Sequence, residues 1–334
     1  MSRNPRPRPP RGPRCVSRRN LPQSGFAWSS PPCRNPNHRT DSGRSSQPWR
    51  TPLSNRTPRA IVLGSVQDGG FPHLGCACEA CLSAVGDPRR ARRVACLGLI
   101  TRGGVAVIDA TPDLPAQLRE LARCAGQSFD TPPRALLLTH LHAGHVAGLP
   151  LFGREAWAAT GTPLWATEAN LHFLESQEPL ARLFREGHLS PQVLHPGWDT
   201  ALDDLMIQAI PVPHRSEAGD TVGFRIEGPE RSLFYAPDLD ALTPDTIAQV
   251  RAADVAILDG TFFRRSELNR DDSNAVPHPA IADSLPVLAG IDTEIRFTHM
   301  NHTNPVLDPD SPDRRAVEGM GMRISEDGDE VILG

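Results

Sequence analysis

Four apolar, β-favouring runs in this 334-residue chain each lead to a side chain that can bind a metal. The run 135–139 leads to His140, 210–212 to His214, 233–236 to Asp238 and 295–298 to His299. Short apolar runs bounded by turn residues read as buried strands. A strand that stops at an imidazole or a carboxylate aims it from a rigid support. Four such ends call for a fold that gathers strand ends at one place.

The densest of these ends is His140-Leu141-His142-Ala143-Gly144-His145. His140 and His142 are two apart, so in extended backbone they point the same way. His145 follows the turn at Ala143-Gly144 and approaches from another side. Neutral imidazole is the commonest zinc ligand and also suits iron, copper and nickel. Taken singly, each residue has a plainer role, such as a helix cap for Asp238 or a satisfied core histidine for His214. The set of four strand ends favours a metal site over a merely His-rich loop.

Cysteine usage points the same way. Cys15 and Cys33 lie in an Arg- and Pro-rich amino-terminal arm, and Cys96 and Cys124 sit in apolar surroundings as expected core residues. Cys76, Cys78 and Cys81 form a tight Cys-x-Cys-x-x-Cys cluster. An odd, clustered set in a chain of this length suggests metal binding in a reducing compartment, so a cytoplasmic location is expected. Three thiolates leave a closed zinc site one ligand short.

Residues 1–59 hold 13 Arg and one Asp, and 12 Pro fall within residues 1–58. That composition cannot bury enough apolar surface to offset chain entropy, so 1–58 is expected to be a disordered extension and 59–334 the folded domain. A basic nucleic-acid arm is disfavoured by the acidic balance of the remainder and by few aromatics (Phe26, Trp28, Trp49). Proline density disfavours the helix of a transit peptide. Arg18-Arg19 is followed by no apolar stretch, which excludes a twin-arginine signal. No run of 18 apolar residues occurs, so no membrane span is expected.

Strands are expected at 60–64, 96–100, 105–109, 135–139, 163–166, 206–212, 221–226, 232–235, 255–259, 294–298, 322–324 and 331–333, and helices at 113–124, 168–176, 243–252 and 279–289. Both halves alternate hairpin-type strands with helices, consistent with two mixed sheets packed face to face with helices outside.

The loop His140-x-His142-x-Gly144-His145, followed in order by His214, Asp238 and His299, resembles the metal-binding motifs of the metallo-β-lactamase superfamily. The resemblance implies an α/β (α+β) fold, the metallo-β-lactamase-like αββα four-layer sandwich. It also implies one metal site of His140, His142 and His214 and a second with His145 and His299, Asp238 bridging. Gly69-Gly70-Phe71-Pro72, the cysteine cluster, Asn301-His302-Thr303-Asn304-Pro305 and Leu307-Asp308-x-Asp310-Ser311-Pro312 closely resemble the pyrroloquinoline quinone (PQQ) synthesis protein B group over about residues 60–334. In that group the His-x-His loop is degraded, whereas three histidines remain here. The chain is also similar, more loosely, to phosphonate-pathway cyclic phosphodiesterases. Those relatives take a histidine three residues after the active-site histidine, which implies His302 as fourth ligand of a structural Cys3His zinc, with His73 in reserve.

The function these features imply is a metal-dependent hydrolase of a phosphodiester, ester or lactone, with a small-molecule substrate and no nucleic-acid or membrane partner. The alternatives are a non-haem iron oxygenase or a carrier in PQQ biosynthesis, and a non-catalytic metal-stabilised binding module. Asp238 and His145 are the expected catalytic residues. Asp109 and Asp259, at the ends of apolar runs, are expected to brace the ligands, and Arg215 and His278 to touch substrate. Gly144 stands where the family has Asp. With Asp238 as the one carboxylate for two divalent ions, one tight ion (Zn2+, Mn2+ or Fe2+) and a second weak or absent ion are expected.

Overall fold

The structure is a computed structural model in which residues 56–215, 218–267 and 276–334 are described. Its strands are β1 (Arg59–Gly64), β2 (Cys96–Thr101), β3 (Gly104–Ile108), β4 (Ala135–Leu137), β5 (Thr162–Ala166), β6 (Leu189–Val193) and β7 (Asp199–Leu202). They continue as β8 (Leu205–Pro211), β9 (Val222–Glu227), β10 (Ser232–Ala236), β11 (Val255–Asp259), β12 (Glu294–Thr298), β13 (Arg323–Ile324) and β14 (Glu330–Ile332). The helices are α1 (Glu79–Gly86), α2 (Leu114–Ala125), α3 (Ala143–Val146), α4 (Glu168–Ser176), α5 (Leu180–Arg185), α6 (Pro244–Arg251), α7 (Ile281–Leu288) and α8 (Pro312–Gly319).

Two seven-stranded mixed sheets result, ordered β14-β1-β2-β3-β4-β5-β6 and β13-β12-β11-β10-β9-β8-β7. The apolar runs are continuous because both faces of each sheet are buried, and successive side chains go to opposite cores. In β3, Ala106 and Ile108 face the core between the sheets, while Val105 and Val107 face the outer helices. In β10, Leu233 and Tyr235 face the inter-sheet core, and Phe234 and Ala236 face the other way. Leu121, Leu171 and Leu183 bring α2, α4 and α5 onto the first sheet. Val250, Leu285 and Val317 bring α6, α7 and α8 onto the second. The order of layers is αββα, as the resemblance implies.

Parallel pairing puts the ligand-bearing ends on one side. β3 and β4 are parallel, as are β10, β11 and β12. β8 and β10 are each antiparallel to β9, so they run together. All these strands therefore stop at the same edge of the sandwich.

The ladder of β4 is shorter than the expected 135–139. It stops because the Thr139 N–H turns to the Asp109 carboxylate at 2.8 Å instead of a neighbouring strand. β6 and β7, not expected from the sequence, each form one edge of a sheet and are largely exposed or half-buried. Of the expected extension, residues 1–55, with Cys15, Cys33, Phe26, Trp28 and Trp49, lie outside the described residues. Residues 56–58 are described: Arg56 is buried against Gln127, and the Pro58 carbonyl accepts the Leu333 N–H.

Candidate metal centre

The end of β4 delivers His140 directly, and the short α3 swings His145 back under it. His140 and His145 are buried and their rings lie 4.1 Å apart. His299, after β12, has φ 61°, and Asp109, after β3, has φ 72°. This left-handed backbone costs about 1–3 kcal/mol at a residue with a side chain and persists only where packing imposes it. Both side chains are aimed by it into the same region.

Two donor groups meet there. In the first, Nδ1 of His142 lies 2.9 Å from Nε2 of His140 and 3.3 Å from Nε2 of His214. Asp238 oxygens stand 3.8 Å from Nε2 of both His140 and His214. In the second, Oδ2 of Asp238 lies 3.1 Å from Nε2 of His145 and 3.3 Å from Nε2 of His299. Oδ1 of Asp68, a residue not expected in the site, lies 3.7 Å from both of those nitrogens. A tetrahedron with bonds of about 2.0–2.1 Å has edges of about 3.3–3.4 Å, so these spacings suit a divalent ion. Nε2 of His145, Nε2 of His299 and Oδ2 of Asp238 are buried without any hydrogen bond. Three converging orphaned atoms are otherwise costly, and a cation would satisfy them together.

The outward nitrogens of His140, His145, His214 and His299 are occupied, which fixes their tautomers. His145 Nδ1–H donates to Asp109 at 2.8 Å and His214 Nδ1–H to Asp240 at 2.9 Å. His140 Nδ1–H donates to the Thr139 hydroxyl at 2.9 Å, which donates in turn to Asp109. Nδ1 of His299 is 3.1 Å from the Thr261 hydroxyl. Asp109 thus holds His145 directly and His140 through Thr139. Asp259 acts at one remove: it accepts the Leu239 N–H and that of Thr261, the partner of His299, and holds His278 Nδ1 at 2.6 Å. His278 is buried, its ring 5.5 Å from that of His214 and 6.1 Å from that of His299. Arg215 lines a cavity of about 210 Å³ with His140 and His142.

Burial alone would push Asp238 toward its neutral acid, but the charges of His299, His140 and His145 hold its pKa well below the carboxylate range. Burial also resists ionisation of Asp68, and His299 and His145 outweigh it. Burial, then the neighbouring His145, lowers the pKa of His140, whereas Asp109 and Asp238 overcome burial to raise that of His145. Without a cation the carboxylates are charge-balanced by protons on the imidazoles, so an entering cation displaces protons.

A second cluster lies nearby. Nδ1 of His302 stands 3.6, 3.7 and 3.6 Å from Sγ of Cys76, Cys78 and Cys81. Zn–S bonds of about 2.3 Å and a Zn–N bond of about 2.0–2.1 Å place tetrahedral S and N donors roughly 3.5–3.6 Å apart. His73 does not join these donors; its ring packs 4.5 Å from that of His302 and its Nδ1 faces the Leu74 carbonyl.

Asp68 and Asp240 escape a reading of strand ends. Asp68 lies four residues beyond β1 in a Gly-rich loop, and Asp240 is masked by its neighbour Asp238. The expectation of a weak second ion rested on a single carboxylate, and that premise does not hold: Asp68, His145 and His299 group together.

A family model described as the beta-lactamase superfamily domain matches residues 106–305. Coenzyme PQQ synthesis protein B of Cupriavidus necator is 33% identical over 305 residues, covering 81% of this chain and 98% of that protein. The protein of the same name from Azotobacter vinelandii is 30% identical over 304 residues, covering 81% and 99%. Among solved structures, Zn2+-bound PqqB from Methylobacterium extorquens superposes with a TM-score of 0.70 at 26% identity, covering 82% of this chain and 99% of that one. A diphosphatase of the PhnP family shares the fold with a TM-score of 0.61 at 23% identity, covering 83% and 97%.

Proposed function

The chain belongs to the metallo-β-lactamase superfamily, on the branch that holds coenzyme PQQ synthesis protein B, and from that premise we propose that it is a metal-dependent hydrolase of a small molecule with a phosphodiester, ester or lactone bond. The observation that carries the reading is the pair of donor groups sharing Asp238, with three buried donor atoms that nothing else satisfies. His140, His142, His214 and Asp238 would hold one ion, and His145, His299 and Asp238 the core of a second. A divalent ion supplies Lewis acidity there: it brings the pKa of water toward ~7 and polarises a carbonyl or phosphoryl oxygen.

The chain's own residues do the rest. Asp109, Asp240, Thr139 and Thr261 hold the outward nitrogens, so the inward nitrogens face the site and take a cation as their protons leave. Arg215, at the cavity beside His140 and His142, binds the anionic or polar part of the substrate. Asp259 holds His278 on Nδ1, leaving Nε2–H as the proton for a leaving group. Cys76, Cys78, Cys81 and His302 hold a structural zinc. The zinc of the Methylobacterium extorquens relative supports metal binding in this branch.

The test is metal analysis of protein purified without oxygen, followed by turnover of bis(p-nitrophenyl) phosphate and a lactone. Zinc or manganese with turnover is expected. Iron with oxygen consumption and no hydrolysis would favour an oxygenase, since two imidazoles and a carboxylate also suit iron(II).

A further inference from the structure

Building on the two-ion reading of the centre, we propose that Asp68 is the carboxylate ligand of the second ion, delivered from the amino-terminal loop into the space that a side chain at Gly144 would occupy. The backbone does not require glycine at 144: the residue lies in helix α3 and is not among the positive-φ positions. What excludes a side chain is Asp68. A Cβ built on Gly144 would stand 2.1 Å from Oδ1, 2.4 Å from Cγ and 2.9 Å from Cβ of Asp68. Separations under 3.0 Å essentially never occur for a real Cβ. Glycine at 144 and aspartate at 68 are therefore two halves of one arrangement.

An exposed aspartate with no task would turn to water. The Asp68 side chain is 41% exposed, yet its Oδ1 points inward and stands equidistant, at 3.7 Å, from the two buried nitrogens of His145 and His299 that lack hydrogen bonds. Asp238 Oδ2 lies 3.1 and 3.3 Å from the same two nitrogens, so both histidines face a carboxylate on Asp68 and another on Asp238. The charge balance also improves. Asp68 raises the carboxylates facing the two ions from one, the shared Asp238, to two, where imidazoles alone neutralise nothing.

The loop is held in register with the other ligands. The Gln67 N–H donates to the carbonyl of Met300, the residue after His299, at 3.0 Å, and the Gly70 N–H closes a turn onto Gln67 at 2.9 Å. Val66 bridges to both Val94 and Met300. Asp68 thus rides on backbone tied to the neighbour of a fellow ligand, which is the support a metal ligand needs.

The experiment compares zinc content and calorimetric zinc titrations of the wild type, Asp68→Ala and the double variant Asp68→Gly/Gly144→Asp, all as the full chain, because glycine at 68 also removes the Cβ that would stand 2.9 Å from a Cβ at 144. Asp68→Ala should lose one ion relative to wild type, or bind it more than ~100-fold more weakly, beyond the usual cost of losing an outer partner. The double variant should regain it, because the new carboxylate enters the vacated space. A general folding defect would not be rescued in that way, and retained cysteine-site zinc reports an intact fold. Asp68→Ala with wild-type affinity for the second ion overturns the assignment while leaving the two-ion reading in place. A depleted Asp68→Ala that the double variant does not restore overturns the equivalence of the two positions. A wild type that binds no ion at the centre removes the hydrolase reading itself.

Discussion

The Asp109 carboxylate lies 2.8 Å from Nδ1 of His145, with both side chains fully buried. The same carboxylate accepts the N–H and hydroxyl of Thr139, so three donors share its two oxygens. Asp109→Asn must turn an NH2 toward one of them. It should weaken the second ion by about 10–100-fold and lower stability, since a buried donor loses its acceptor. Zinc titration and urea denaturation check this, and unchanged affinity would show that Asp109 serves the fold alone.

Asp240 plays the matching part for His214, at 2.9 Å, but its side chain is 27% exposed. Water can replace a half-open partner more easily than a buried one. Asp240→Ala should therefore cost the first ion about 10-fold, the lower end of such effects, and leave the second unchanged. Equal weakening of both ions would place the effect in the fold.

Removing the cysteine-site ion should be felt at the second active-site position and not at the first. His73, packed on His302, would meet any Cβ on Gly69 at 2.3 Å, so the cluster abuts the turn that carries Asp68. Cys81→Ala should lose the structural zinc, lower the thermal midpoint and weaken the second ion. Identical loss at both active-site positions would argue against a path through this loop.

His278 predicts the pH dependence of the metal-free protein. Burial would lower its pKa, but the charge and hydrogen bond of Asp259, with the charge of Asp238, raise it to about 9. The rings of His214 and His299 face it, and Arg215 opposes the rise. The folded value lies above the unfolded value of ~6.5, so the pair contributes in full below ~6.5 and is lost as pH rises through about 9. In chelator, the wild type should approach His278→Gln in urea midpoint across that window. A constant gap between them would refute the assignment.

Much of this was legible because the strands are buried on both faces. Runs such as 233–236 and 255–258 stay apolar without alternation, and a polar residue just beyond them stands out. His140, His214, Asp238 and His299 follow that rule. His302 came through resemblance, and the structure places it beside the three thiolates. Edge strands gave little signal: β6 reads Leu-Ser-Pro-Gln-Val, and three of its five residues are exposed. In α8 only Val317 is buried, so no apolar stripe marks it. Asp68 was hidden because its role depends on a contact with residue 144, and no local pattern records the distance between a loop and a helix.

The centre draws its donors from both sheets: His140, His142 and His145 follow β4 of the first, and His214, Asp238 and His299 follow β8, β10 and β12 of the second. An unfolded chain cannot assemble such a set, so each bound ion favours the folded state by mass action. Free metal at 100 times its dissociation constant adds about 2.7 kcal/mol per site, a sizeable part of the usual 5–15 kcal/mol. The melting temperature of this protein is then a gauge of available metal. Chelation should therefore lower the melting temperature as well as empty the site.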